Sequence, residues 1–404
     1  MFQTLFRQKA ALLRHQTGPL ALERRKYLEY CAAGGARHDE QRKRAKCLLW
    51  IAKRLGPDDC RGVTAERLHK VVYGRPVPGP AMATVFLEFA RPWLKFLGWW
   101  RTDKEPVPFS ETLEAYLTWM RQERGLSPAT IRGRNSCTTE FLRWCGESGR
   151  DLASLRPQDL DAYFAACEDR WSRISKASMA ARLRAFLRYA ASTGVCPRQL
   201  PETIMSPRVY RLESLPYALS WEDVRKLLAS TTCANARDIR DRAILMLLAV
   251  YGMRRGEVAS LQLDHIDWAR RRLCVHRLKR RQPQIYPLPR TVAEALARYV
   301  DSVRPNVTYP EVFIRLQAPH RPIGDGAIYH VVTERLRSLG IKAAHLGPHA
   351  LRHSCATRLL AQGLTLKEIG DHLGHRSTAA TSIYTKVDLP ALREVGDFDL
   401  GDLP

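Results

Sequence analysis

The sequence predicts a mainly α-helical protein with one small β-sheet, an α+β fold of more than one domain. Apolar residues recur at helical spacing through most of the chain, and one stretch alternates between apolar and polar residues as paired strands do. A proline-rich segment interrupts these patterns near the middle. At 404 residues the chain is long enough for two or three domains that each bury a core.

The chain carries a large excess of positive charge. Lysine and arginine total 65 against 41 aspartates and glutamates, which gives a formal net charge of +24 and a pI near 10.0. Such an excess indicates a polyanionic partner, nucleic acid before membrane. The longest apolar run, Ala243–Tyr251, is too short to cross a bilayer, and the first residues lack the apolar core of a signal peptide. We therefore expect a cytoplasmic protein associated with the nucleoid, with no membrane partner.

Two helical blocks precede the proline-rich segment. Residues 1–103 form an extra helical N-terminal region, and its basic run at 41–46 fits either a DNA contact or a solvated helix face. Residues 107–200 predict a compact domain of four or five helices with arginines on its exposed faces. In this second block Ser127 is a helix N-cap, and Pro128 stands at the first helical position.

The third block begins after the segment 201–219, whose three prolines indicate an interdomain linker. Residues 220–387 predict helices, among them a buried helix that ends at Gly252, together with one β-hairpin at 271–289, in which Leu273 and Val275 point inward. The last segment, 388–404, holds five acidic residues and one basic residue. It predicts either a short amphipathic helix that needs a docking groove on another protomer or a disordered acidic end.

The third block concentrates residue types that suit phosphoryl transfer to a protein nucleophile. Guanidinium groups, here Arg254 and Arg352, can hold the non-bridging oxygens of a phosphodiester and offset the charge that develops in the transition state. A tyrosine such as Tyr384 supplies an oxygen nucleophile that needs a base or nearby cations. Lys279 is the only lysine between Arg254 and Lys342, and lysine can release a proton where arginine cannot.

Two structural alternatives compete with this interpretation. Arg254 and Glu257 lie three residues apart and could simply form an ion pair with each other. His349, Arg352 and His353 share one face near a helix N-terminus, and a second helix follows after a glycine, which also describes a helix-turn-helix DNA reader. The ten cysteines are scattered singly without the C-x₂₋₄-C spacing of a zinc site. We expect most of them to be small buried apolar residues, and we assign them no chemistry.

Four motifs in the third block resemble those of the tyrosine recombinases, the phage integrase family. They are "GMRRGE" at Arg254, "HALRH" at His349 and Arg352, "LGH" at His375, and "SIYTK" at Tyr384. Their order and the nine-residue step from His375 to Tyr384 match as well. The resemblance covers roughly residues 217–387, and the block at 107–200 resembles the helical core-binding (SAM-like) domain of that family.

The resemblance implies a site-specific DNA recombinase or integrase of a mobile genetic element. It would cut and rejoin strands through a 3′-phosphotyrosyl intermediate, with no metal and no cofactor. Each family role then falls on a matching residue. Arg254 and Arg352 would clamp the scissile phosphate, Lys279 would protonate the leaving 5′ oxygen, and Tyr384 would attack. His349 would assist proton transfer, His375 would complete the pocket, and His353 would be structural.

The family also implies partners and alternatives. The expected partners are double-stranded DNA and further protomers, related recombinases included, in a tetrameric synapse joined through 388–404. Residues 376–383 would be a flexible spacer that delivers Tyr384 to the phosphate. A type IB topoisomerase shares much of this chemistry, and a DNA-binding regulator without turnover would share the scaffold; both remain open at this stage.

Overall fold

The structure is a computed structural model, and it describes residues 1–74, 79–102, 106–210, 217–277, 283–342, 346–375 and 381–387. The chain divides into two compact units. One unit is Thr102–Glu213, and the other combines the residues before it with those after it. The fold is mainly α-helical with one small three-stranded sheet, as the sequence predicts.

The N-terminal region is helical, as predicted. Its core holds the fully buried side chains of Leu48 and Trp93, and Trp50 stacks on Phe86 with ring centroids 4.4 Å apart. Its six helices are α1 (Phe2–Leu5), α2 (Lys9–Thr17), α3 (Ala21–Ala33), α4 (His38–Ala52), α5 (Ala65–Tyr73) and α6 (Pro80–Phe96).

The N-terminal region is joined to the rest of its unit through residues Gly34 and Gly35. The backbone amide of His320 donates to the Gly34 carbonyl at 3.0 Å, and His320 Nε2 lies 3.2 Å from the Gly35 carbonyl. Arg44 donates to the carbonyl of Ala318 at 3.3 Å. These contacts connect residues almost three hundred positions apart, so no local sequence pattern announces them.

The unit Thr102–Glu213 is a four-helix domain. Tyr116, Phe141 and Phe186 are fully buried at its centre. The predicted cap is confirmed, because Ser127 Oγ accepts from the Thr130 amide at 3.3 Å and Pro128 opens the helix. The helices are α7 (Ser110–Gln122), α8 (Pro128–Glu147), α9 (Pro157–Ala166) and α10 (Arg173–Ser192).

The segment from residue 217 onward packs around α12, a helix that is buried along most of its length because its residues are apolar nearly all round. It contacts α14 and α16 most extensively. The helices are α11 (Trp221–Ala229), α12 (Ala236–Tyr251), α13 (Arg255–Ala259), α14 (Arg290–Ser302), α15 (Asp325–Ser338), α16 (Pro348–Ala361) and α17 (Leu366–Leu373), and a 3₁₀ helix spans Ser382–Val387.

The predicted β-hairpin is confirmed. The strands are β1 (Ile266–Asp267), β2 (Arg272–His276) and β3 (Pro283–Pro287), antiparallel in the order β1-β2-β3. Leu273 pairs with Tyr286 and both are buried, as the alternation requires. The hairpin tip at 278–282, and with it Lys279, lies outside the described residues.

Among the described helices, none combines the length and the apolar composition that crossing a bilayer would require. All ten cysteines are unbridged, and seven of them are buried. Their placement agrees with the expectation that most serve as small apolar core residues.

Candidate active site

Arg352 lies at the centre of the candidate site, where two helices end. Its guanidinium donates to the carbonyl of Gly252, the residue that caps α12, and to the carbonyl of Leu373 at 2.7 Å, at the end of α17. Carbonyls at helix C-termini lack partners within their own helix and carry the negative end of the dipole, so a buried cation is stabilised there. Burial lowers the pKa of Arg352 to about 10, with Arg254 and Arg277 adding to the shift, and the group stays charged at neutral pH.

Gly252 is required where the α12 backbone turns toward Arg352. Its φ of 56° is left-handed, and a Cβ at this position would come within 2.5 Å of Leu373 Cδ2. The turn brings the residue after next, Arg254, to the N-cap of α13. The predicted end of the long helix at Gly252 is thus confirmed, and its sequel "MRRGE" leads directly into the site.

One buried carboxylate holds two arginines of the site. Glu257 Oε1 accepts from Arg254 Nη1 at 2.8 Å, and Glu257 Oε2 accepts from Arg277 Nη1 at 2.6 Å. Glu257 Oε2 also accepts from the Arg254 backbone amide at 2.8 Å. Within the part of the chain that the structure describes, Glu257 is the only carboxylate paired with any of Arg254, Arg277 and Arg352, so this part of the structure carries net positive charge and suits an anion.

Arg277 connects the hairpin to the end of α17. It donates to Gln284 Oε1 at 3.1 Å, to the hydroxyl of Tyr286, and to the carbonyl of His372 at 2.8 Å. α17 ends against Arg277 at Gly374, whose φ is 66°. A Cβ on Gly374 would lie 2.7 Å from Arg277 Nε, so glycine permits this close approach. Arg277 therefore fixes where β2, α13 and α17 stand relative to one another.

His375 follows directly after α17. Its Nδ1 lies 2.7 Å from the hydroxyl oxygen of the buried Thr381, and its backbone amide donates to the Gly370 carbonyl at 2.8 Å. Burial lowers the pKa of His375 to about 4, and Arg352, Arg254 and Arg277 contribute to the shift. The imidazole is therefore neutral at physiological pH, with one ring nitrogen positioned by Thr381.

Tyr384 is buried beside His375. The two rings are nearly parallel, at an interplanar angle of 7°, with centroids 6.5 Å apart. The Tyr384 hydroxyl oxygen lies 3.0 Å from His353 Nδ1. Burial raises the pKa of Tyr384 to about 12, although Arg352 and Arg254 act in the opposite direction. The hydroxyl is therefore protonated at neutral pH and already in contact with an imidazole that can accept its proton.

Five of the six predicted site residues lie in the part of the chain that the structure describes. Arg254, Arg352, His375 and Tyr384 meet as described above. His349 is exposed in the first turn of α16, and its ring centroid is 6.2 Å from that of His353. Lys279 and most of the predicted spacer, residues 376–380, lie outside the described residues.

Sequence reasoning assigned no functional role to three residues that the structure places in this cluster. Glu257 was expected only as an ion-pair partner of Arg254, and His353 was expected to be structural. Arg277 was missed, although a signal existed: Leu273 and Val275 point inward, and Arg277 occupies the next inward position of the same alternation. A charged residue at a core position of a strand usually has a buried partner, here Glu257.

Two family models match the chain. The model described as the phage integrase family matches residues 218–389, and the phage integrase N-terminal SAM-like domain matches residues 113–194. An integrase/recombinase of Sinorhizobium fredii, y4rA, is 33% identical over 293 residues, which cover 72% of this chain and 71% of that protein. The chain belongs to the phage integrase family. It is a tyrosine-type site-specific recombinase.

Other members of the phage integrase family extend the comparison. Tyrosine recombinase XerC of Pelobacter propionicus is 28% identical over 293 residues, covering 72% of this chain and 95% of that protein. XerH, solved bound to its palindromic difH substrate as a post-cleavage complex, has the same fold with a TM-score of 0.57 at 16% identity, over 87% of this chain and 95% of that one. A lambda integrase fragment, solved as a dimer bound to a COC′ core site, has a TM-score of 0.54 at 15% identity, covering 73% of this chain and 99% of that one.

Proposed function

We propose that the protein cuts and rejoins DNA strands through a covalent bond between Tyr384 and a 3′ phosphate. The observation that carries the proposal is the 3.0 Å contact between the Tyr384 hydroxyl and His353 Nδ1, in a cluster whose arginines outnumber its carboxylates. In the cleavage step the Tyr384 oxygen bonds to phosphorus while the bond from phosphorus to the 5′ oxygen breaks. His353 accepts the tyrosine proton, and Lys279 supplies a proton to the 5′ oxygen.

The two predicted clamp arginines suit the anionic phosphate. Arg352 keeps its charge with a pKa of about 10, and its two carbonyl contacts leave further N–H groups of its five for a ligand. Arg254 uses one guanidinium nitrogen on Glu257. We assign both to the non-bridging oxygens, where they offset the charge that develops during displacement.

The three histidines have distinct tasks in this proposal. His375 is neutral at neutral pH, and if Thr381 donates to Nδ1, the proton sits on Nε2, from which His375 can donate to a phosphate oxygen. His353 accepts the proton of Tyr384. His349, one turn earlier on α16, assists proton transfer by relaying it toward solvent, in keeping with its exposure.

Rejoining reverses the same step. The 5′-hydroxyl of a second strand attacks the phosphotyrosyl phosphorus and gives its proton to Lys279. The bond from phosphorus to the Tyr384 oxygen breaks, and the proton returns from His353 to Tyr384. The phosphoester energy is kept in the covalent intermediate, so the exchange needs no nucleotide hydrolysis. We propose that the enzyme acts in the cytoplasm on DNA of a mobile genetic element.

Trapping the covalent intermediate tests this function. The parent protein is incubated with duplex fragments of the DNA that flanks its own gene, denatured with detergent, and the DNA that remains attached to protein is sequenced. We expect attached DNA with the parent and none with Tyr384→Phe, while both bind the recovered site equally in a gel-shift titration. Binding by Tyr384→Phe that is about tenfold weaker or more would contradict a purely chemical role for the hydroxyl.

Plasmid relaxation and product analysis, added to the trapping assay, separate the alternatives. A type IB topoisomerase would relax an arbitrary supercoiled plasmid without a partner site, whereas a recombinase needs its own sites. A DNA-binding regulator would bind the recovered site and yield no attached DNA with the parent protein. Recombinant product from two copies of the site therefore supports the proposal over both.

We further propose a tetrameric assembly on DNA, in which residues 388–404 of each protomer contact a neighbour. The acidic composition of this segment supports the proposal, because it is repelled by DNA and attracted to a protein of net charge +24. Deletion from Asp388 onward should leave a protein that binds one half-site and forms the Tyr384 adduct weakly. Light scattering on DNA-bound samples should show loss of the tetramer; an intact tetramer with full recombination would refute the role of the segment.

A further inference from the structure

A basic groove of about 960 Å³ lies in the N-terminal region, outside both family-model matches. It runs between the first two helices and α4. Five cations line it, and one carboxylate, Asp39, lies among them; the cations are Arg7, Arg14, Arg42, Lys46 and Lys53.

The cations of the basic groove lack the carboxylate partners that other cations of the same region have. Arg44 pairs with Glu40 at 2.6 Å and Arg67 pairs with Asp59 at 2.8 Å. Within the part of the chain that the structure describes, none of the five groove cations forms an ion pair, and all five are exposed. Their charge is therefore available to a ligand.

The groove favours a charged ligand over an apolar one. Three of its apolar lining side chains are almost fully covered, since Leu5, Phe6 and Leu49 are each at most 6% exposed. The buried His15 also lines the groove. Burial, together with Arg24, Arg14, Lys46 and Lys53, lowers the pKa of His15 to about 4, so its ring is neutral at physiological pH. A cleft lined mainly by positive charge and walled by buried, low-dielectric protein focuses its electric field toward the opening and attracts anions there.

The spacing of the cations suits an extended polyanion. Arg42 and Lys46 lie on α4, and Lys53 is its C-cap, eleven positions after Arg42. At 1.5 Å per residue this step is about 16 Å, the rise of about five base pairs of duplex DNA. Arg7 and Arg14 face them from the other wall. The contacts of Gly34, Gly35 and Arg44 with residues 318–320 hold this region on the part of the chain that carries the site, so a ligand bound here adds to the grip of the whole enzyme.

We propose that the basic groove binds the phosphate backbone of duplex DNA, as a contact additional to those of the two family domains. The proposal rests on the proposed function only in taking DNA as the substrate. The competing occupant is the acidic segment 388–404. DNA is favoured because the five exposed cations match a regularly charged phosphate backbone, and three of the apolar side chains of the groove, Leu5, Phe6 and Leu49, are too covered to seat the apolar stripe of an amphipathic helix.

The test compares two triple variants of the full-length protein. The groove variant is Arg42→Gln, Lys46→Gln and Lys53→Gln. The control variant removes the same charge from exposed lysines of the same region that do not line the groove: Lys26→Gln, Lys43→Gln and Lys95→Gln. All six side chains are exposed, so both variants should fold, and circular dichroism verifies this.

Affinity for a labelled duplex of about four helical turns is measured by fluorescence anisotropy at several salt concentrations. Three lost phosphate contacts should reduce the slope of log affinity against log salt by about 3 and weaken binding at physiological salt at least roughly tenfold. The control variant should keep a slope close to that of the parent. Equal slopes for the parent and the groove variant, or equal losses for both variants, would overturn the proposal.

Two further measurements assign the occupant and separate the proposals. If a synthetic peptide of residues 388–404 binds the parent but not the groove variant, and the DNA slope is unchanged, the acidic segment is the occupant and the DNA proposal fails. The groove variant should still form the covalent adduct at saturating protein, whereas Tyr384→Phe should lose the adduct and keep the salt slope. Failure of one proposal is thus visible without failure of the other.

Discussion

Two buried arginines, Arg24 in the N-terminal region and Arg352 in the candidate active site, have closely similar electrostatic surroundings. Both donate to backbone carbonyls, and burial lowers the pKa of each to about 10. A histidine near each, His15 and His375, has its pKa lowered to about 4 by burial and by the arginine. Strongly shifted pKa values therefore occur in both clusters, although only one contains a candidate nucleophile.

The two arginines differ in how many hydrogen bonds their guanidinium groups make. Arg24 donates from Nε to the Pro19 carbonyl at 2.9 Å and from Nη2 to the carbonyls of His15 and Gly18 at 2.9 and 3.0 Å, and its Nη1 lies 3.4 Å from His15 Nδ1. Arg352 makes two hydrogen bonds within the described part of the chain. Arg24 is a structural cross-link, whereas Arg352 is held at two points and keeps further N–H groups for the phosphate that we propose it binds.

The surroundings extend this contrast. The Arg24 cluster contains one histidine and the ring of Phe2, 5.3 Å from the guanidinium carbon. Around Arg352, further arginines gather on one carboxylate and a tyrosine faces an imidazole. A perturbed pKa alone is thus a weak indicator of an active site, and the convergence of unused donors with a nucleophile is a strong one.

Substituting lysine for each arginine should separate the two roles most sharply. Arg352→Lys removes a forked donor from the phosphate, and strand cleavage should fall by roughly 10³–10⁵-fold, the range for an arginine that stabilises a transferring phosphoryl group. Arg24→Lys loses several carbonyl contacts, so its thermal midpoint should drop while cleavage below that midpoint stays near the parental rate. Equal loss of cleavage by both folded variants would contradict the contrast.

Lys279, the predicted proton donor, provides the second test. In Lys279→Ala, cleavage of normal DNA should slow by about 10²–10⁴-fold, the scale of a general acid. A substrate whose 5′ bridging oxygen is replaced by sulfur has a leaving group that needs no proton, and it should recover most of that loss. If the sulfur substrate is cleaved just as slowly, the proton donor is a different residue.

Local patterns predicted the helices and the hairpin because each carries its own signals. Ser127 and Pro128 begin a helix, Gly252 ends one, and the alternation through Leu273 and Val275 gives a strand pair. The strand Ile266–Asp267 was not predicted, since two residues are too few to show a period. The docking of Gly34 against His320 was equally invisible, because it depends on a contact between distant parts of the chain.

The site was predictable by residue type and family motif, and its geometry was not. Arg254, Arg352, His375 and Tyr384 follow from the motifs, whereas the contact between His353 and Tyr384 depends on how the 3₁₀ helix at Ser382–Val387 meets α16. A histidine one position after Arg352 is equally compatible with a core role. Only the three-dimensional placement of the tyrosine distinguishes the two.

The smallest expected effect is the acid sensitivity of the two histidines. Both His15 and His375 have a folded pKa of about 4, below the ordinary value of 6.5, so the unfolded chain binds more protons between these values. Stability is therefore complete above about pH 6.5 and declines as the pH falls toward 4, by at most roughly 3 kcal/mol for each histidine. His15→Gln and His375→Gln should each flatten the fall in thermal midpoint between pH 6.5 and pH 4.5.

A phosphate-bearing duplex that fills the active site should protect the His375 contribution, because a bound anion raises the pKa of that imidazole. If the midpoint of His15→Gln falls with pH as steeply as that of the parent, the burial of His15 against Arg24 does not have the electrostatic cost inferred for it.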